Sequence, residues 1–412
     1  MKKLLFLLLL GFVFVSPIWA ADPPPIPPTP PTAPIAPTPP TNRPIPPTAP
    51  IPPTPPEFHF PVCQTHGPDF AHCHAKFVAS DSKGKPRVNP GPVGYGPIDF
   101  QTAYKFASQS ASGRTLAIID AYDHPNIKSD LDIYNSTFGL PPAPSFTKID
   151  QNGGTNYPKV DSGWALEIAL DVEIAHAACP DCKLLLVEAN SNSYNDLMAA
   201  VDRAVTLGAS VVSNSYGSNE FSRETSFDFH FNHPGVAFTF SSGDSGYGVE
   251  YPAASRYVTA VGGTSLFLNP DHSYSTETAW SGAGSGCSSY ESKPSFQKDT
   301  GCFHRTVADV SADADPNTGA AIYDSVAYFG QTGWFQVGGT SLAAPLVAAA
   351  YALGGIGPTI QANSLPYTHI SSLHDITVGN NGHCRRSSYL CTAVPGFDGP
   401  TGLGSPFGII AF

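Results

Sequence analysis

GWALEIALDVEIAHAACPDCKLLLVEA, residues 163–189, decides the fold. Residues 163–178 have the length of a helix and are apolar nearly all round, so that helix should be buried. After the CPDC corner, KLLLVEA (183–189) is a continuous apolar run of strand length. A strand apolar on both faces needs cover on both faces, which is the condition of a parallel sheet.

The same alternation continues outward. TLAIID (115–120), ASVVSNS (209–215), VAFTFSSG (236–243) and YVTAVGG (257–263) read as strands. NDLMAAVDRAVTLG (195–208) reads as an amphipathic helix, a helix is expected near 222–233, and SLAAPLVAAAYALGG (341–355) is a helix of small residues. Strands alternating with helices predict an α/β fold with a mainly parallel central sheet and helices on both faces. Ligands of such folds bind at the carboxyl ends of the strands.

The chain has 412 residues, 41% of them hydrophobic and 13% charged, with a net charge of -12. That acidic balance argues against nucleic acid or an anionic membrane surface as partner, since phosphate binding needs clustered Lys and Arg. Lys2 and Lys3, the apolar run Leu4–Val15 and the small residues Ala20 and Ala21 have the layout of a secretory signal over residues 1–20. The run is short for a membrane span, so no stable span is expected once the signal is removed; an uncleaved anchor is the alternative. The product is expected to be secreted or periplasmic.

Residues 21–59 are dominated by Pro and Thr and read as a polyproline linker of ~3.1 Å per residue. From residue 60 to 412 the composition is globular and shows no break, so one domain is expected. The eight cysteines fall into neighbouring pairs, Cys63 and Cys73, Cys179 and Cys182, Cys287 and Cys302, Cys384 and Cys391. In an exported chain these read as disulfides, with neighbour pairing expected. A zinc set of Cys63, His66, Cys73 and His74 is the competing reading of the first pair.

Three places could carry chemistry. In GGTSLAAP (338–345), Ser341 stands near a helix N-terminus behind two glycines, beside free backbone N–H groups suited to an oxyanion. An ordinary N-cap serine is the plain alternative. Glu167 and Asp171 lie four apart on one face of the apolar helix, where burial and mutual repulsion should raise at least one pKa. Asp244, in the glycine turn SSGDSGYG (241–248), follows a strand; it is either a turn residue or, when protonated, a hydrogen-bond donor to an oxyanion. A triad of Asp120, His176 and Ser341 is the competing assignment.

Together, EIALD (167–171), SGDSG (242–246) and GGTSLAAP resemble the sedolisin family, the serine-carboxyl peptidases of the subtilisin-like superfamily. The likeness extends through AIIDAYDHPNIKSDLDIYNSTFGLP, YPAASRYVTAVGGTSL and RTVADVSADADPNTG, from about Gly94 to the C-terminus. It implies a subtilisin-like fold and cleavage of protein or peptide substrates at acidic pH, by an endopeptidase or a tripeptidyl-peptidase acting as a monomer. Ser341 would be the nucleophile and Glu167 the base oriented by Asp171. Protonated Asp244, with the Ser341 N–H, would face the oxyanion.

The resemblance also implies one structural Ca²⁺. HDITVGNNG (374–382) and VPGFDGPTGLGSP (394–406) would supply the side chains of Asp375 and Asp398 and the carbonyls of Ile376, Val394 and Gly396. The family carries a long folded propeptide, where this chain shows only the signal and the proline-rich stretch. A secreted binding protein on the same scaffold, without activity, is the remaining alternative.

Overall fold

The computed structural model describes residues 58–412 except Pro68 and Arg386. The signal segment and nearly all of the proline-rich stretch lie outside the described residues. Phe58 and His59, which the sequence assigns to the linker, open the strand Phe58–Pro61.

The central sheet runs in the order Phe146–Asp150, Lys183–Ala189, Thr115–Ala121, Val211–Asn214, Ala237–Ser241, Thr259–Leu268. These strands are parallel, and Val310–Asp313 continues the parallel set beside Thr259–Leu268. Only Tyr274–Ala279 pairs antiparallel, at the edge. The inner strands are apolar and buried along nearly their whole length, as strands covered on both faces must be. The helix Thr340–Gly354 packs on the central strands and against the helix Ser162–Ala178. The amphipathic helix Tyr194–Thr206 covers Lys183–Ala189 and Thr115–Ala121. Among the described residues no helix is long and apolar enough to cross a membrane.

The expected helix near 222–233 is a 3-10 helix over Glu224–Phe231. Its amides bond three residues back, as Ser226 N does to Arg223 O and Asn232 N to Phe229 O. No side chain caps it, and a short uncapped segment does not propagate a regular helix. All four neighbour disulfides form, which removes the thiolates that a zinc set at Cys63 and Cys73 would need.

Two further sheets bring the N-terminal residues into the fold. Phe58–Pro61 pairs with Lys76–Ala79, which pairs with Gln331–Gly338 and through it with Ala320–Tyr328, all antiparallel. His72–Cys73 pairs with Tyr216–Asn219, whose other edge takes Glu250–Tyr251. Residues 58–79 are thus built into the same body as the sheet.

Candidate active site

Three neighbouring strands deliver site residues at their carboxyl ends. Ile119 and Phe240 both sit level with Asn214, so Asp120, Ser215 and the turn holding Asp244 emerge side by side. The fourth piece arrives from the second sheet. The strand Gln331–Gly338 ends on Gly339, whose φ of 98° turns the chain directly into the helix that starts at Thr340. A side chain at Gly339 would be strained at that φ, and its Cβ would collide with the His74 carbonyl and with Asp244 Oδ2 at 2.5 Å. Ser341 therefore stands in the first helical turn, fully buried, with its hydroxyl donating weakly to Ser215 O at 3.4 Å.

The acidic helix begins at Asp161, whose Oδ1 accepts from the amides of Gly163 and Trp164 at 3.1 Å each. A cap of this kind is worth about 1 kcal/mol. From Gly163 to Ala178 every residue is buried. Burial raises the Glu167 pKa well above the ordinary value, and repulsion from Asp171 and then Asp244 adds to it. The Ser341 hydroxyl and the Ala75 amide work the other way on the same carboxyl. Neither reaches it in well-formed hydrogen-bond geometry, and both Glu167 oxygens lack a partner by that standard, so we read them as neighbours of Glu167 rather than bonded to it. Asp171 is also raised well above normal by burial, opposed by the Ser215 hydroxyl, which donates to Oδ1 at 2.8 Å.

A third carboxyl joins them. Asp120 is fully buried with both oxygens unpartnered, and burial plus the charges of Asp171, Glu167 and Glu188 push its pKa up. His176 does not complete a triad with it. Its Nε2 lies 2.9 Å from Pro141 O, and burial lowers its pKa. The competing assignment of Asp120, His176 and Ser341 finds no support: among the described residues no hydrogen bond or charge contact links His176 to Asp120 or to Ser341. Glu173 points away and takes the Tyr323 amide at 2.9 Å.

Asp244 is held by one oxygen only. Its Oδ1 accepts from the Thr340 amide at 2.7 Å and the Thr340 hydroxyl at 2.9 Å, while Oδ2 is buried with no partner. Burial raises its pKa, and the charges of Lys76 and His74 oppose that rise. The Lys76 ammonium donates to the Asp244 carbonyl at 2.6 Å. Asp244 Oδ2 and the Ser341 N–H flank one oxygen, the carbonyl of His74, on which the Ser341 amide donates at 3.3 Å. Sequence reasoning missed Ser215, Lys76 and Glu250, and weighed His74 only as a zinc ligand. All four act through backbone or through contacts across the fold, and only Glu250, six residues after Asp244, is close in sequence to a motif.

Asp375 and Asp398 come together on two C-terminal loops. Asp398 is buried, accepts from Val394 N at 3.0 Å and from Thr401 N and Oγ1 at 2.9 Å, and is pushed up to about 7 by burial, with Asp375 adding repulsion. Asp375 Oδ2 accepts from Gly396 N at 2.9 Å. Among the described residues the carbonyls of Ile376, Val394 and Gly396 accept no hydrogen bond. Two repelling carboxylates and free carbonyl oxygens fit a hard divalent cation. The His124, Asp130 and Asp324 cluster is different. His124 Nδ1 accepts from the Asn126 amide at 3.2 Å, so one ring nitrogen is already taken, and Nε2 lies 3.4 and 3.2 Å from the two acids.

The sequence profile of the subtilase family matches residues 162–354. Kumamolisin of Bacillus sp. (strain MN-32) is 33% identical over 366 residues, covering 77% of this chain and 63% of the relative. Sedolisin of Pseudomonas sp. (strain 101) is 31% identical over 363 residues, covering 76% and 60%. The chain thus spans less than two-thirds of either relative's length. The solved structure of Pseudomonas sedolisin, a serine-carboxyl proteinase complexed with two molecules of pseudo-iodotyrostatin, superposes with a TM-score of 0.65 at 30% identity, over 76% of this chain and 96% of that one.

Proposed function

This chain belongs to the sedolisin family of serine-carboxyl peptidases, and we propose that it is a secreted or periplasmic endopeptidase that hydrolyses protein or peptide substrates in acid. The observation that carries this reading is the buried Ser341 beside Glu167, whose carboxyl interacts in turn with the equally buried Asp171 and Asp120.

Ser341 Oγ attacks the peptide carbonyl and Glu167 takes its proton. Asp171, anchored by Ser215, shares charge with Glu167 so that the pair titrates as a unit. The Ser341 N–H and the protonated Asp244 stabilise the oxyanion, and Glu167 then hands its proton to the leaving amine. A carboxyl donates only when protonated, which ties turnover to acid, roughly pH 3 to 5 by the ordinary carboxyl range. Asp375 and Asp398 with the three carbonyls would hold one Ca²⁺, which ties the two C-terminal loops together.

The test is a digest of denatured protein across pH, with fragments read by mass spectrometry. Internal fragments formed in acid by the intact chain and not by Ser341→Ala, a loss of about 10³-fold or more, are expected. Release of N-terminal tripeptides alone would replace the endopeptidase with a tripeptidyl-peptidase. No cleavage at any pH would leave an inactive binding protein on this scaffold.

A further inference from the structure

The acidic pair on the buried helix is the inner end of a longer row of carboxyls. Asp120 and Glu188 are partners across the parallel strands Thr115–Ala121 and Lys183–Ala189, so their side chains leave the sheet on the same face. Asp120 feels the charges of Asp171, Glu167 and Glu188. All four carboxyls are fully buried. Among the described residues no N–H or O–H donor bonds either oxygen of Asp120 or of Glu167, nor Asp171 Oδ2 or Glu188 Oε2. A buried polar atom left unsatisfied costs about 1–3 kcal/mol. Protons held between neighbouring carboxyls remove that cost, because a protonated acid donates with one oxygen and still accepts with the other.

Glu188 closes the outer end of the row. Its Oε1 accepts from the His124 amide at 2.9 Å and lies 3.0 Å from Lys148 Nζ. That ammonium stands at the protein surface, where it pairs with Asp123 and donates to the His124 carbonyl at 2.8 Å. With Oε1 committed to two donors, a proton on Glu188 sits on Oε2, the oxygen that no donor reaches. Burial pushes this carboxyl up to about 8, so it holds its proton throughout the acid range. The other charged groups on the packed elements are engaged elsewhere. Asp150, level with Glu188 on the next strand, accepts from the amides of Asn152, Gly154 and Asn156. Asp196, on the helix that covers the strand, accepts from the Ser191 and Ser193 hydroxyls. The His124 ring faces Asp130 and Asp324.

We propose, resting on the peptidase reading above, that Glu188 is a positioning residue for the catalytic pair: its Oε2–H donates to Asp120, Asp120 donates to Asp171, and Lys148 holds Glu188 in the orientation that aims this row of donors inward. The single negative charge of the row then settles on Glu167 and Asp171 rather than on the outer acids. That charge is what lets Glu167 take the Ser341 proton. During turnover the proton passes from Ser341 to Glu167 and on to the leaving amine, while those of Glu188 and Asp120 stay in place.

Initial rates of the full chain on a denatured protein, measured from pH 3 to pH 8, test the row through Glu188→Leu and Glu188→Gln. Leu removes the donor; it should leave KM in place, lower kcat at pH 3 by about three- to ten-fold and move the acid limb of kcat to higher pH. Gln keeps an N–H that donates at every pH, and should return the acid limb to its original position. A second arm needs no turnover and decides the matter if the Leu variant does not fold. Infrared spectra of the Ser341→Ala chain should show a protonated carboxyl that is missing once Glu188→Gln is added. Adding Asp120→Ala instead should lower the midpoint of that signal by about one pH unit or more. An acid limb unmoved by Glu188→Leu, or moved equally by Glu188→Gln, overturns the proposal and leaves the peptidase reading standing. A Glu188 midpoint indifferent to Asp120→Ala overturns it too. No cleavage by the intact chain at any pH overturns both readings together.

Discussion

Ser215 donates its hydroxyl to Asp171 Oδ1 at 2.8 Å, while its own carbonyl receives the Ser341 hydroxyl. One residue thus touches both the nucleophile and the acidic pair. Hydrogen bonds to a charged group contribute about 1.5–3 kcal/mol, so Ser215→Ala should lower kcat by roughly 10- to 100-fold. Losing a donor that holds the Asp171 pKa down should also move the acid limb of the kcat profile to higher pH. Ser215→Thr should restore both. An acid limb that stays in place in Ser215→Ala would show that this contact does not tune the pair.

Asp244 should set the alkaline limb. Its pKa is raised by burial, so the donor form persists above the ordinary range and is lost as pH rises through that raised value. Asn at this position can keep the Thr340 bonds and donate at every pH. We expect Asp244→Asn to keep measurable activity with its alkaline limit displaced upward, and Asp244→Ala to lose about 10²–10³-fold throughout. A limit unchanged in the Asn variant would place the controlling titration on another group.

Folding should be favoured by acid. Burial pushes Glu188 and Glu291 to about 8 and Glu224 to about 9. A carboxyl raised in the folded state binds its proton more tightly there than in the unfolded chain. Its contribution is complete below the unfolded value, ~4, and is lost as pH rises through the folded one. Glu250, which burial would raise but His74 holds below normal, and His72, His176 and His374, which burial lowers, work in the opposite direction. The raised carboxyls, which also include Asp120, Glu167, Asp171, Glu173 and Asp313, outnumber them, so the Ser341→Ala chain should melt at a lower temperature at pH 8 than at pH 4. Equal midpoints across that window would falsify the burial argument.

Calcium should show its largest effect on the C-terminal loops. Added Ca²⁺ should raise the melting temperature of the Ser341→Ala chain, and a chelator should reverse the gain. A cation at 100 times its Kd adds about 2.7 kcal/mol. Asp398→Ala should abolish the response by removing the buried carboxylate at about 7 that the ion would neutralise. A full response in that variant would move the site elsewhere.

The α/β architecture was legible because it rests on local patterns. The strands Thr115–Ala121 and Lys183–Ala189 and the helix Ser162–Ala178 lie within a residue of their expected bounds, since continuous apolarity dictates burial wherever the chain goes. The 3-10 helix at Glu224–Phe231 departs from expectation because its amides bond three residues back rather than four. Glu167, Asp171, Asp244 and Ser341 stood out because acids in an apolar helix, an acid in a glycine turn and a serine behind two glycines are each unusual in composition.

The sequence by itself determined that acids would be buried in an apolar helix and that a serine would open another, because side-chain hydrophobicity and spacing act along the chain. Only the tertiary structure decided that Asp120 joins those acids and that His176 does not. Only it laid the His74–Ala75 bond across Ser341. Strand pairing at a cleft is made by backbone N–H and carbonyl groups that every residue carries, so no sequence pattern marks which peptide will occupy it.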